Sequence, residues 1–378
     1  MDETVEEPRR VSTIELFLDL VFVFAVTQLT TLLADHPDLT GLLQALLIFG
    51  VVWWMYGAYV WLTNAVAPDT PSRRLLLLVA MLGFLLIALA IPTAFEGGGV
   101  VFGIGYILVV VVHAAAFGLS QHTSSLRGML RIAPLNLFSA SVILAAGVVG
   151  GTAMYPLFAL ALLIQVITPF IAAPGAFRID SAHFVERYGL LVLIVLGESI
   201  VAIGVGLGGS TPDLPLVTAA ALALAVTAAM WWIYFSGDDV RAEEAMEHAT
   251  QRRRAQIAIN AFFYATIPML LGVVAFAAGV KFATAHPFEP IEAAAALALG
   301  GGVATYLVGD ALFRLSIGAG LAWNRLFAAA LTLAMVPIGT IVSAVAELAG
   351  IWLVLVLGLI VPSALAERPK RAVTAALD

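Results

Sequence analysis

Apolar residues run through this chain in stretches of about twenty, the number a helix needs to cross the hydrocarbon core of a bilayer. The stretches predict twelve spanning helices, over residues 12–34, 39–62, 73–95, 98–119, 131–150, 153–173, 184–207, 214–236, 256–280, 291–313, 325–345 and 347–366. The joints between them are short and rich in turn formers, as in "DHPD", "APDTPS", "EGGG", "GGSTPD" and "HPFEP". The longest joint, "SGDDVRAEEAMEHATQRRR" at 236–254, is charged and rich in Ala and Glu, which predicts a surface helix. The predicted fold class is an all-α polytopic membrane protein.

Composition supports that pattern. Hydrophobic residues make up 62% and charged residues 11% of the 378, with a mean hydropathy of +1.03. A soluble chain carries about 25% charged residues, so the solvent of this surface is lipid. There is no cysteine, which excludes disulfides and thiol chemistry. The net charge of −7 argues against nucleic acid as a partner. The acidic N-terminus and the two carboxylates of the first apolar run are wrong for a cleavable signal. Basic residues test the span count, because they should collect in alternate joints, on the cytoplasmic side. Arg9 and Arg10, Arg73 and Arg74, Arg127 and Arg131, Arg178 and Arg187, Arg241 with Arg252 to Arg254, Arg314 and Arg325, and finally Arg368, Lys370 and Arg371 all fall on one side; Lys281 falls on the other. The expected location is a bacterial inner (plasma) membrane, with both termini cytoplasmic.

The chain also repeats itself. "VWWMYGAY" in span two (Trp53, Trp54, Tyr56) returns as "MWWIYFSG" in span eight (Trp231, Trp232, Tyr234), each followed by an arginine pair, Arg73-Arg74 or Arg253-Arg254. "IELF" at Glu15 in span one is matched by "VERY" at Glu186 in span seven. Three landmarks in one order predict two six-span halves of the same orientation, as in some transporters. The domain layout is then a 1–11 cytoplasmic tail, a first repeat over 12–173, a connector over 174–183, a second repeat over 184–366 that includes the charged 236–254 segment, and a 367–378 cytoplasmic tail. The tryptophans are expected in an interfacial aromatic belt.

Ionisable groups inside a membrane are costly and mark function by default. They lie in the first and fourth spans of each half: Glu15 and Asp19, His113, Glu186 with Arg187 and Glu198, and Asp310 with Arg314. Gln28 and Ser199 stand on the same helices and complete the candidate ion or substrate path. Glu15, Asp19, His113, Glu186, Asp310 and Arg314 fall toward the cytoplasmic side, with Glu198 near the midplane. Glu15 and Asp19 are one turn apart, so they face the same way, and two such carboxylates cannot both ionise cheaply without a cation. They are either a proton or cation site, or a structural pair held by Arg187, Arg314 or Arg131. Glu198 is a proton carrier or cation ligand, or a protonated acid hydrogen-bonded between helices; Gly197 beside it would admit a close backbone or ligand. His113 is a relay or a hydrogen-bonded core residue. Asp310 and Arg314, at i,i+4, most simply pair with each other, and would otherwise form a gate. His183 and Glu186 (HxxE) give a weak metal pattern with no second histidine nearby, and no metal site is expected. The runs Gly204, Gly206, Gly208, Gly209 and Gly103, Gly105 suit close helix packing. No P-loop or Ser-His-Asp motif stands out; neither an enzyme nor a cofactor is implied.

"ELFLDLVFVFAVTQL" (Glu15–Leu29) and "HFVERYGLLVLIVLGESIVAIG" (His183–Gly204) resemble the low temperature requirement protein A (LtrA) family of bacterial membrane proteins. The spans between fit that family's all-helical layout, so the resemblance covers nearly the whole chain, and the family name implies a role in growth at low temperature. "FLDLVFVFAVTQLT" is also similar, more faintly, to the first helix of the potassium channels of lysosomes and bacteria, with Phe17, Asp19 and Thr27 at the matching places. It departs from them at Leu18, where that family has Ser, and Tyr188-Gly189-Leu190 replaces the motif in the second half. In those channels the first helix of each six-span unit lines the pore. Three functions follow. The first is a proton- or cation-coupled carrier with a central path lined by spans one and seven and backed by four and ten. The second is a cation channel on the same helices, and the third a non-transporting sensor or scaffold linked to low-temperature growth. The expected partners are the lipid bilayer and a small ion or solute; a homo-oligomer is compatible with the sequence.

Overall fold

The computed structural model describes residues 10–118, 123–171, 179–206 and 211–362. Among these there is no strand. The tails at 1–9 and 367–378, Arg178, Gly208 and Gly209 lie outside the described residues, as does the side chain of Arg127. The helices are α1 (Thr13–Asp35), α2 (Leu39–Ala65), α3 (Pro71–Ala90), α4 (Gly99–Gly118), α5 (Thr123–Val149), α6 (Met154–Ile171), α7 (Ser181–Gly206), α8 (Leu214–Phe235), α9 (Asp238–Glu247), α10 (Gln251–Ile257), α11 (Thr266–Ala285), α12 (Ala293–Ser316), α13 (Trp323–Ala334), α14 (Val336–Ile341) and α15 (Ala344–Leu355). Eleven helical stretches are long and apolar enough to span a membrane, and the shorter apolar helix Ala344–Ile360 follows them.

Several helices are started by a side chain of the joint before them. Asp38 accepts from the Gly41 amide at 2.8 Å, Asp213 from Leu216 at 3.0 Å and Ser343 from Ala346 at 3.2 Å. Thr70 does the same for Arg73 ahead of Pro71, whose missing N–H costs nothing in a first turn. Gly150 and Gly151, at φ +68° and +59°, take the left-handed backbone that lets α5 turn into α6. The charged joint does carry a helix, α9. The arginine run 252–254 belongs instead to α10, which Thr250 caps and which continues through a wide helical turn at Ala258–Ala265 into α11.

The chain divides into two compact units. One takes in the chain up to Ile194 together with Ala242–Ala258; the other takes in Val195–Arg241 and the chain from Ile259 on. In the first, α4 packs between α3 and α5, α1 against α2 and α3, and α6 against α2 and α5. A Cβ on Gly83 of α3 would come within 3.0 Å of the Gly105 carbonyl oxygen, and one on Gly105 of α4 within 2.8 Å of the Gly83 oxygen, so two backbones touch there. The Tyr106 hydroxyl donates to the Val51 carbonyl of α2 at 3.0 Å. In the second unit α12 packs against α11 and α13, and α8 against α15 and α11. Here Gly272 of α11 and Gly302 of α12 meet in the same way, at 2.5 and 2.8 Å from each other's carbonyl oxygens. Tyr306 of α12 donates to the Met230 carbonyl of α8 at 2.9 Å.

The tryptophans correct one expectation. Trp53 and Trp54 are buried in the first unit, with Trp53 packed among Phe22, Phe49, Tyr56 and Tyr188. They fill the helix bundle rather than a belt. Trp231 and Trp232 are 40% and 48% exposed and do present their rings outward.

Candidate functional site

Arg187 is wholly buried in the first unit, and the groups around it answer what Glu15 and Asp19 do in an apolar helix. The i,i+4 spacing stacks the two carboxylates along α1, about 6 Å apart in rise. A guanidinium has a planar fork of donors that can reach both. Its two terminal nitrogens divide the work: one donates to Glu15 Oε1 at 3.1 Å and also to the Thr63 hydroxyl, the other to Asp19 Oδ1 at 2.9 Å. All three charged side chains are fully buried. Arg187 had counted among the loop arginines that mark the cytoplasmic side. It is instead an interior partner, because two buried acids demand a cation.

The two acids are held differently. Glu15 Oε2 accepts from the Ser12 amide at 2.9 Å and the Ser12 hydroxyl at 2.6 Å, which fixes the start of α1. His183 adds a further bond at 3.1 Å to Oε1. The direction of that bond follows from Asn64, whose Oδ1 accepts the Asp180 amide at 3.1 Å while its Nδ2 donates to the Asp180 carbonyl at 3.1 Å. With its amide so oriented, Asn64 Nδ2 presents a donor to His183 Nδ1 at 3.2 Å. His183 Nδ1 therefore accepts, and the ring proton sits on Nε2, facing Glu15. Asp19 has less company. Its Oδ1 takes both Arg187 and the Tyr56 hydroxyl, at 2.9 Å each, while Oδ2 is buried with no hydrogen-bond partner among the described residues.

The other sequence-predicted residues lie elsewhere. Glu186 is exposed and accepts the Val11 amide at 3.0 Å; it points away from its neighbour Arg187. Gln28 is half-buried on α1. His113 is buried in α4, bonded through Nε2 to the Ala58 carbonyl at 3.1 Å and packed on Tyr59 and Phe117, as the hydrogen-bonded core reading had it. Glu198 and Ser199 are buried on the part of α7 that belongs to the second unit. Among the described residues a Cβ on Gly197 would meet nothing within 4 Å, so no backbone of theirs approaches closely beside Glu198.

Asp310 and Arg314 do not pair with each other. Asp310 Oδ2 bonds Arg325 Nε of α13 at 2.9 Å. Arg314, in the last turn of α12, reaches both oxygens of Asp238 at the start of α9, at 2.7 Å to Oδ2. Each finds a better partner on the element packed against it than along its own helix. The long Arg314 side chain passes the helix end, and Asp310, deeper in, is met from α13. Arg325 thus joins Arg187 as an arginine read from sequence as a loop charge and found mostly buried. Sequence reasoning also passed over Thr63, Asn64, Tyr56 and Asp238 as partners, and Glu347 altogether. Glu347 opened the predicted last span, which read as a membrane edge; α15 begins three residues earlier and carries it inside.

Helices this apolar, with acids and arginines turned inward onto one another, define a multi-pass, all-helical membrane protein. Within that class, the chain belongs to the bacterial low temperature requirement A protein (LtrA) family, which it matches over residues 10–361. It is also 30% identical over 310 residues to an uncharacterized protein of Rhizobium meliloti (strain 1021), covering 78% of this chain and 75% of that one.

Proposed function

We propose that this LtrA-family protein is a proton-coupled carrier of the bacterial plasma membrane, with cytoplasmic termini and Asp19 as a proton-binding group. One observation carries the reading. Two fully buried carboxylates share one guanidinium, and the oxygen left over, Asp19 Oδ2, has no hydrogen-bond partner among the described residues. An unpaired buried acceptor costs about 1–3 kcal/mol; Asp310 Oδ1 is left in the same way, but Asp310 has an arginine to itself, whereas Asp19 shares Arg187 with Glu15. A proton on Oδ2 removes the excess charge, and gaining or losing it switches the field on Arg187. Glu15, tied to Ser12 and His183, is the anchor; Asp19 is the group that changes state. Glu198, buried near the middle of a span, is the second candidate proton carrier.

The carrier is further read as two duplicated six-span halves. That reading is supported by matched contacts in the two units. A glycine pair joins the third and fourth spans, Gly83 with Gly105 and Gly272 with Gly302. A tyrosine of the fourth span bonds a second-span carbonyl next to or near the Trp-Trp pair, Tyr106 to Val51 and Tyr306 to Met230.

Asp19→Asn tests the proposal. Asn keeps an acceptor for Tyr56 and Arg187 and mimics the protonated acid, so folding is retained. In proteoliposomes with an internal pH dye and an imposed pH gradient, wild type is expected to move protons above empty vesicles and Asp19→Asn at least about tenfold less. Equal flux in the two, or wild-type flux no greater than that of empty vesicles, rejects the reading. Single-channel currents from wild type would favour the channel instead.

A further inference from the structure

We propose that Glu347 is a second proton-binding site, built by glycines in the second unit and independent of the Asp19 reading. Its side chain is fully buried, and among the described residues neither carboxyl oxygen has a partner at hydrogen-bond geometry, although the Gly300 backbone acts on the carboxyl. In this it differs from every ion-paired acid above. The socket is shaped around the carboxyl. A Cβ on Gly339 of α14 would collide with Oε2, and one on Gly300 of α12 would stand 3.1 Å from Oε1. Both positions therefore admit the carboxyl because they lack a side chain. The other atoms nearest to those two Cβ positions are Ala296 Cβ, Val336 Cγ2 and the Thr332 carbonyl oxygen, the last 2.7 Å from a Cβ on Gly300.

Nor does the helix start neutralise the acid. Glu347 sits in the first turn of α15, where free amides could receive a carboxylate. Those amides are taken: Ala344 donates to the Glu289 carbonyl at 3.2 Å, Val345 to Pro287 at 3.0 Å and Glu347 itself to Ser343 at 3.2 Å, while Ala346 donates to the Ser343 hydroxyl. Among the described residues, no charged side chain makes an ion pair or hydrogen bond with it. On the elements packed against α15, the charges are Asp310 and Arg314 of α12, ten or more residues from Gly300, and Arg325 of α13, seven residues from Thr332; α8 and α14 carry none, and Tyr234 and Tyr306 bond or pack elsewhere. At the same end of the unit, His286 and Glu289 face each other in the open, and Glu292 is exposed.

A bare carboxylate cannot be kept in such a place, and a buried acid neutralises rather than bear the cost. A metal cation would need about six oxygen ligands, and among the described residues no group of three or more metal-ligating side chains includes Glu347. The proton is the cation that fits. Ile341 at the end of α14 and Val342 after it, two and three residues from Gly339, are exposed.

The test is infrared spectroscopy of the full chain in lipid nanodiscs, titrated from about pH 5 to about pH 10, wild type against Glu347→Gln. The expected result is a protonated-carboxyl C=O band at neutral pH that Glu347→Gln loses and that disappears from wild type in a single-proton step, unchanged when sodium or potassium replaces choline. Absence of the band at neutral pH means an ionised acid and overturns the proposal. A band that never titrates means a structural acid and also overturns it, and a cation-dependent midpoint assigns the site to a metal ion instead. Gly339→Ala guards against a variant that fails to fold, since its Cβ must displace the carboxyl: the band is expected to shift, and an unshifted band in folded Gly339→Ala overturns the socket.

Discussion

Removing Arg187 is the sharpest perturbation of the first unit. Arg187→Met keeps volume and removes the cation, leaving Glu15 and Asp19 buried and facing each other along α1. Breaking a buried pair from one side costs about 3–5 kcal/mol, because the remaining charge is stranded. Here two acids lose one partner, and the Thr63 hydroxyl loses its donor as well. A loss at the upper end, about 5 kcal/mol, is therefore expected. The companion variant supplies the proof. Arg187→Met combined with Glu15→Gln and Asp19→Asn leaves no charge to strand, and a neutralised cluster often matches the ionic one within about 1–2 kcal/mol. His183, with its proton on Nε2, can still donate to the side-chain amide oxygen that Glu15→Gln leaves in place of Oε1. The assay is reversible unfolding of the full chain in mixed micelles titrated with a denaturing detergent. A single variant within about 1 kcal/mol of wild type refutes the claim that Arg187 neutralises these acids. So does a triple variant no more stable than the single, since the loss would then be one of shape.

Two further outcomes follow from the second unit. In double-mutant cycles read by the same unfolding assay, Asp310 and Arg325 are expected to couple by about 1.5–3 kcal/mol, as a charged hydrogen bond does, while Asp310 and Arg314, which interact only through space, couple more weakly; the reverse order would restore the pairing expected along α12. Gly302→Ala places a Cβ 2.5 Å from the Phe276 amide nitrogen of α11, where only backbone can yield. It is expected to cost about 1–3 kcal/mol in unfolding midpoint, whereas Gly197→Ala, which meets nothing within 4 Å, is expected to be neutral or better.

Helix number and place were legible because burial in lipid is a bulk property of twenty residues at a time. The predicted span 39–62 met Leu39–Ala65, and 214–236 met Leu214–Phe235. The charged joint was legible as a helix from its composition. What periodicity could not supply was which helix faces which, and so every partner that depends on packing stayed hidden. Asp310 and Arg314 looked paired because one chain's own spacing is all a sequence offers. The true partners, Arg325 and Asp238, come from elements that only the fold sets beside them. Trp53 was misplaced for a related reason: Trp favours interfaces on average, but its ring also fills a bundle well when Phe22, Tyr56 and Tyr188 surround it. Glu347 escaped notice through a shift of three residues in a helix start, close to the ordinary scatter of such boundaries.

Charge balance separates the acids that hold the fold from those with chemistry left over. Asp238 meets two arginines, Arg241 and Arg314, and Asp310 meets Arg325. Glu15 has Ser12, His183 and a share of Arg187, and its removal would loosen the start of α1 more than it would change any protonation. Asp19 has the other share and the Tyr56 hydroxyl, both on one oxygen, and Glu347 has no ion pair among the described residues. Charge inside a membrane is costly, so a buried acid without an arginine to itself is the one most easily neutralised by a proton. By that reasoning Asp19 and Glu347, one in each unit, are better candidates for proton exchange than Glu15, although Glu15 and Asp19 stand one turn apart on the same helix.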